Sequence, residues 1–173
     1  LHINPDLSRR IVSFQANKKL PLYSWYKYKE GFAKELVDYC LDDSKLSGTL
    51  LDPFAGSGAA LFVANQRGFS SIGIELLPSG IFPIKSRISA QTVDVQKLSD
   101  IINQVLQIDD FSKFYEVEFN HVPITKGAFS DITEKELMGY VGYINKLVIE
   151  RRYIDVLEFA ALCILEQISF TRK

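Results

Sequence analysis

The stretch Thr49-Leu-Leu-Asp-Pro-Phe-Ala-Gly-Ser-Gly58, followed by Ser71-Ile-Gly-Ile-Glu75, reads as a strand, a glycine turn, a helix and a second strand that ends in an acid. An apolar strand that runs into a turn with Gly56 and Gly58 lets backbone amides come close to a ligand, since neither residue carries a Cβ. The helix after the turn points its N-terminus at that ligand. Glu75 lies about 20 residues further on, where the second strand of a nucleotide-binding fold presents a carboxylate to ribose hydroxyls. The pattern predicts the start of a βαβ unit and a cofactor with a ribose.

Details of the turn narrow the cofactor. Dinucleotide binding uses G-x-G-x-x-G/A, with a small third residue for close helix-to-strand packing, and here Leu61 holds that place. A nucleoside-triphosphate loop needs a lysine after its last glycine, and Ala59 follows Gly58. Asp52, at the strand end beside Pro53 and Phe54, would repel a pyrophosphate. A ligand with an ammonium and no phosphate fits better, and S-adenosylmethionine is one.

At these residues the chain resembles a known family. Asp52-Pro-Phe-Ala-Gly-Ser-Gly58 is similar to the cofactor motif of DNA amino-methyltransferases, D-P-F-x-G-x-G-T-T, and Gly73-Ile-Glu75 is similar to its acidic companion. The chain departs at Ala59-Ala60, where Thr-Thr is common, and so lacks hydroxyls near the helix start. Trp25 to Val37 resembles the family segment that precedes the turn and closes one side of the cofactor pocket. Ile168 to Lys173 resembles a stretch found before the catalytic half of some members. The specific part runs from Trp25 to Glu75. The resemblance implies that Gly56 and Gly58 line the methionine part of S-adenosylmethionine and that Glu75 binds the ribose. It further implies that Asp52 organises the turn or meets the ammonium, that Phe54 and Leu76 supply apolar contacts, Leu76 beside the adenine, and that Phe32 covers the pocket.

The resemblance also implies groups that are missing. Amino-group methylation in this family uses a [DNS]-P-P-[YFW] loop that holds the flipped base, and the chain has no Pro-Pro pair. Methylation at a ring carbon uses a cysteine nucleophile, in that family in a Pro-Cys pair, whereas Cys40 follows Tyr39 and Cys163 follows Leu162. The expectation is the N-terminal, cofactor-binding part of a DNA methyltransferase of a restriction-modification system, acting on an exocyclic amine of adenine or cytosine and inactive alone. It would be a truncated piece or one half of a split enzyme. Two rivals stand beside it: a non-catalytic assembly or regulatory fragment, and an RNA or small-molecule methyltransferase, because a glycine turn does not identify the acceptor.

Composition fits this reading. The 173 residues suit one ordinary domain. A formal net charge of −1 announces no general nucleic-acid surface, so DNA contacts would be local or come from a C-terminal catalytic half. Two distant cysteines give neither a metal spacing nor a disulfide framework. No leader and no apolar span of about 18 residues is read, which favours a cytoplasmic protein without membrane contact. An incomplete sheet would leave an edge open to self-association.

The predicted organisation is an incomplete Rossmann-like α/β cofactor unit with an added helical region. An irregular arm covers 1–30, the cofactor unit 31–110, and a mainly helical extension 111–173. Helices are expected after Gly31, from Gly58 to Gln66, near Lys85 to Ala90 and around Leu98 to Leu106. In the extension, Tyr115 to Phe119 alternates like a strand, Thr133 and Glu136 have capping-box spacing, and a hairpin follows with one helix to Val148 and another from Tyr153 to Ile168. Asp42, Asp43 and Ser44 mark a helix exit. Several residues have an ordinary reading that is preferred. Trp25, Tyr26 and Tyr28 anchor the arm rather than stack on bases. Lys27 and Lys29 beside Glu30 form a solvated patch, Arg151-Arg152 and Arg172-Lys173 are charged ends, His2 and His121 are neither ligands nor bases, and Cys40 and Cys163 are buried apolar side chains.

Overall fold

A computed structural model of the chain describes residues 7–28, 31–42, 47–116 and 118–170. Lys29, Glu30, Asp43, Ser44, Arg172, Lys173 and His2, all invoked above, lie outside the described residues. The chain divides into two compact units, Leu1–Lys85 and Ser86–Lys173.

In the first unit the order is a 3-10 helix Phe14–Lys19, helix α1 Lys34–Asp42, strand β1 Thr49–Asp52, helix α2 Ala59–Gln66 and strand β2 Ser70–Gly73; helix α3, Pro78–Ala90, starts there and ends in the second unit. β1 and β2 are parallel, with Leu50 opposite Ser71 and Leu51 opposite Ile72. The βαβ reading is therefore right, with β2 one residue earlier and shorter than expected. α2 stops where Gly68, at φ +82°, takes the left-handed conformation and donates to the Asn65 carbonyl.

Leu61, which stands where dinucleotide folds keep a small residue, is accommodated by a glycine on the strand. A Cβ on Gly73 would lie 2.5 Å from Leu61 Cδ1 and 3.0 Å from Ala55 Cβ. Close approach of helix and strand is thus reached with the large and small residues exchanged. The core of this unit joins Tyr23, Val37, Ala60, Phe62 and Val63, with Phe32, Leu50 and Ile84 packed on it.

The segment read as an irregular arm is built into that core. Ser13 caps the 3-10 helix, and Phe14, Ala16 and Asn17 are buried. Asn17 donates from Nδ2 to the Phe32 carbonyl (3.0 Å) and accepts from the Lys34 amide (2.9 Å), while the Tyr23 hydroxyl bonds Gln66 (3.2 Å). A buried group that loses such a partner costs about 1–3 kcal/mol, so one side chain with two of them fixes the arm firmly. Asp38 bonds Lys34 and Arg67, and these bonds outweigh the burial that opposes its ionisation, holding its carboxyl below the usual range.

In the second unit α4, Val95–Val105, is capped by Asp94, whose carboxylate accepts the Lys97 amide at 2.7 Å. Short 3-10 turns at Phe111–Phe114 and Pro123–Thr125 lead to α5, Asp131–Lys146, and α6, Arg151–Ile168. Ile101, Val105, Ile144, Tyr153 and Leu157 form its core.

Three local expectations are corrected. Tyr115, Glu116 and 118–120 form no strand; Val117 lies outside the described residues, and no second strand is described there to pair with. The cap of α5 is Ser130, three residues before the expected Thr133, and Glu136 accepts the Phe111 amide (3.0 Å) instead of closing a box. α5 ends at Lys146, so Val148 is fully exposed rather than on the apolar face.

Candidate cofactor site

The site is the turn between β1 and α2 with the chain that leaves β2. Past the strands the pairing continues: the Ile74 amide donates to the Asp52 carbonyl (2.9 Å) and the Ala55 amide to the Ile74 carbonyl (3.0 Å). Gly56 and Gly58 have φ of +53° and +85°, a region other residues rarely enter. Asp52 Oδ1 accepts the Phe54 amide at 3.0 Å, which orders the chain across Pro53. Gly58 is the cap of α2 and no side chain caps it.

Glu75 holds the centre. Its Oε2 accepts the Gly56 amide at 2.7 Å, and its Oε1 accepts the Leu76 and Leu77 amides, each at 2.8 Å. The carboxylate thus ties the glycine turn to the entrance of α3, whose first residue, Pro78, has no amide hydrogen to satisfy. The Leu77 bond is the largest influence on its ionisation; with the Leu76 and Gly56 bonds it outweighs desolvation and holds the Glu75 carboxyl below its ordinary value.

A carboxylate offers about four acceptor positions. Both of those on Oε1 are taken and one remains on Oε2. Glu75 can accept one further hydroxyl without giving up a backbone partner, and a second only by releasing one.

The other predicted residues are spread around this centre. Phe54 and Leu76 are each 86% exposed, Phe54 two residues past the end of β1 and Leu76 three past the end of β2. Phe32 packs partly buried on the core of the first unit and gives its carbonyl to Asn17.

Two residues were missed from the sequence. A Cβ on Gly56 would lie 2.9 Å from Tyr28 Cε1, so the Tyr28 ring covers the turn. A Cβ on Gly80 would lie 2.5 Å from the Gly56 carbonyl oxygen and 2.8 Å from Glu75 Cγ. A glycine in the first turn of a helix, two residues past a proline, was the available signal for Gly80. Tyr28 is indistinguishable in sequence from its aromatic neighbours.

Elsewhere among the described residues, several reactive or charged groups are buried or already paired. Burial pushes the Cys163 thiol up to about 11, against a smaller opposite influence of Arg87, so it is a poor nucleophile at neutral pH. Cys40 is exposed and Cys163 only half-buried, where both were expected to be buried. His121 bonds Glu134 (2.8 Å) and Thr125 (3.3 Å). Arg151 pairs with Asp155 and Glu158, and Arg152 with Glu150. An apolar cavity of about 380 Å³ in the second unit is lined by Phe111, Leu137, Tyr140, Ala161 and Ile164 among others, and Glu136 on its wall is spent on the Phe111 amide. Among the described residues no three His, Cys, Asp or Glu side chains are grouped to hold a metal ion, and no helix is long and apolar enough to cross a membrane.

Mixed helices, a small parallel sheet and a glycine turn tied to an acid fit an α/β methyltransferase-like fold. The chain belongs to the type II methyltransferase family. It is 34% identical over 168 residues to the type II methyltransferase M.BsoBI of Geobacillus stearothermophilus, covering 96% of this chain and 33% of that protein. It is 37% identical over 188 aligned residues to M.AvaI of Nostoc sp., covering all of this chain and 36% of that protein. M.MjaII of Methanocaldococcus jannaschii is 33% identical over 110 residues, 62% of this chain and 20% of that protein. The chain spans about a third of the length of the first two of these relatives. No protein-family model and no solved structure matches it.

Proposed function

We propose that the chain is the cofactor-binding part of a site-specific DNA methyltransferase, which takes its methyl group from S-adenosylmethionine and modifies an exocyclic amine of adenine or cytosine. The observation that carries this reading is the carboxylate of Glu75 fixed against the Gly56 amide, with one acceptor position left for a hydroxyl. Asp52 stands at the other strand end, available to an ammonium, and exposed Phe54 and Leu76 offer apolar surface to an adenine. Tyr28 over Gly56 limits the depth of the site.

S-adenosylmethionine supplies the electrophilic methyl when bound. The residues of this chain bind and orient; the Pro-Pro-aromatic loop that would hold the amine is absent from its sequence. β1 and β2 are read as the first strands of a larger Rossmann-like sheet completed by sequence outside this chain. Calorimetric titration with S-adenosylmethionine tests the reading: saturable one-site binding is expected, with no methyl transfer to DNA. Absence of binding to a folded sample would refute it.

The assembly reading is favoured by one observation. Leu51 and Ile72, opposite each other on β1 and β2, are 59% and 56% exposed, a pair of large apolar side chains on an uncovered sheet face. Self-association is expected where that face has no other cover. Light scattering at high concentration should report dimers or larger species, and a monomer would count against association.

A further inference from the structure

Residues 7–28 contain five basic residues, Arg9, Arg10, Lys18, Lys19 and Lys27, and no Asp or Glu, in a chain whose formal net charge is −1. The rest of the chain is therefore acidic, and the positive charge is local. All five side chains are exposed. Arg9, Arg10, Lys18 and Lys19 form no ion pair among the described residues. Most cations elsewhere do: Lys34 and Arg67 share Asp38, Lys97 meets Glu150, Lys146 meets Glu116, and Arg151 and Arg152 are each paired.

The backbone that carries the four unpaired cations is fixed. Arg9 and Arg10 lie in a turn closed by Ile11 and Val12 amides on the Ser8 carbonyl, and the Ser13 hydroxyl bonds both arginine carbonyls. Lys18 and Lys19 follow Asn17, which is buried and twice bonded. Cations on an ordered scaffold, in no ion pair among the described residues, suit a polyanion: they neutralise phosphates and release condensed counterions.

We propose that this arm contacts the phosphate backbone of duplex DNA through Arg9, Arg10, Lys18 and Lys19, positioning the substrate without reading its sequence. The choice of DNA rests on the methyltransferase reading above; the charge pattern itself does not. Contacts of this kind fix register and orientation and leave base recognition to other groups.

The test is fluorescence anisotropy of a labelled duplex of arbitrary sequence, titrated with the chain over a range of salt concentrations. The comparison is with R9A/R10A/K18A/K19A and with K126A/K135A, exposed lysines of the second unit. The quadruple variant should weaken binding by about tenfold or more and reduce the slope of log K against log salt by about 2 to 4, while the control pair leaves both nearly unchanged. R9K/R10K should keep the slope, since it keeps the charge. An unchanged slope in the quadruple variant, with its thermal transition intact, overturns the proposal, as does tighter binding to an RNA duplex of the same length. If the quadruple variant fails to fold, K18Q/K19Q must still lower the slope for the proposal to stand. S-adenosylmethionine titration of the same samples separates the two readings: cofactor binding with an arm-independent slope sinks this proposal alone, and an arm-dependent slope without cofactor binding sinks the methyltransferase reading alone.

Discussion

Glu75→Ala is expected to weaken S-adenosylmethionine binding by about tenfold or more, the scale of a lost charge-assisted contact, and to loosen the glycine turn even without ligand. Two losses coincide, because the carboxylate that would accept a ribose hydroxyl is the one that holds the Gly56, Leu76 and Leu77 amides. Glu75→Gln separates them. The amide oxygen can keep the Leu76 and Leu77 bonds, but the amide nitrogen would face the Gly56 donor with donors of its own. Glu75→Gln should therefore keep the α3 entrance and lose turn order and affinity. Because the folded carboxyl titrates below its ordinary value near 4.5, its stabilisation is fully present above that value and is lost as pH falls through the lower, folded one. The protection of the Gly56 amide, its exchange measured against the unfolded rate at the same pH, should accordingly hold down to about pH 4.5 and fall below it in the wild type only. Equal cofactor affinity in wild type, Glu75→Ala and Glu75→Gln would remove Glu75 from the site.

The parts of this arrangement that were legible in the sequence are those written by local rules. The strand, the two glycines and the acid fall in one short window, and their spacing alone gives β1, α2 and β2. Periodicity likewise gives α4, α5 and α6. What sequence could not show depends on partners far along the chain. Asn17 reads as an ordinary loop asparagine, and its role appears only when Phe32 and Lys34 are beside it. Leu61 breaks a packing rule in the sequence, and Gly73 opposite it restores the close approach. Glu136 has capping-box spacing, yet a more distant amide, that of Phe111, claims its carboxylate. Glu75 is legible in the sequence as an acid that closes the second apolar segment. That three backbone donors already occupy it, which leaves one of about four acceptor positions, is a fact of the folded turn.

Gly139→Ala tests the same kind of distant dependence in the second unit. Helix propensity alone favours the substitution by about 1 kcal/mol in a helix interior. Packing opposes it. The added Cβ would lie 1.9 Å from the Phe111 carbonyl oxygen, 2.6 Å from its carbon and 3.2 Å from the Ser112 nitrogen, all backbone atoms; three residues on, a Cβ at Gly142 would meet the Phe114 carbonyl oxygen at 2.7 Å. The Phe111–Phe114 turn is thus seated directly on the α5 backbone. It has little freedom to retreat: the Phe111 amide is bonded to Glu136, and the rings of Phe111 and Phe114 meet Tyr140 and Tyr143 edge-on at 4.9–5.8 Å. Overpacking against fixed backbone lies at the upper end of its usual range, so a net loss of about 3 kcal/mol is expected, enough to lower the transition of this unit by more than about 10 °C. Gly142→Ala, with a single contact under 3 Å, should cost less. Near-ultraviolet dichroism of the eight tyrosines, four in each unit, follows both, and Trp25, the single tryptophan, reports on the first alone, so a tyrosine transition that Trp25 does not share belongs to the second. A Gly139→Ala protein that melts at or above the wild-type temperature would mean that propensity outweighs packing here, and that the turn does not rest on the helix as described.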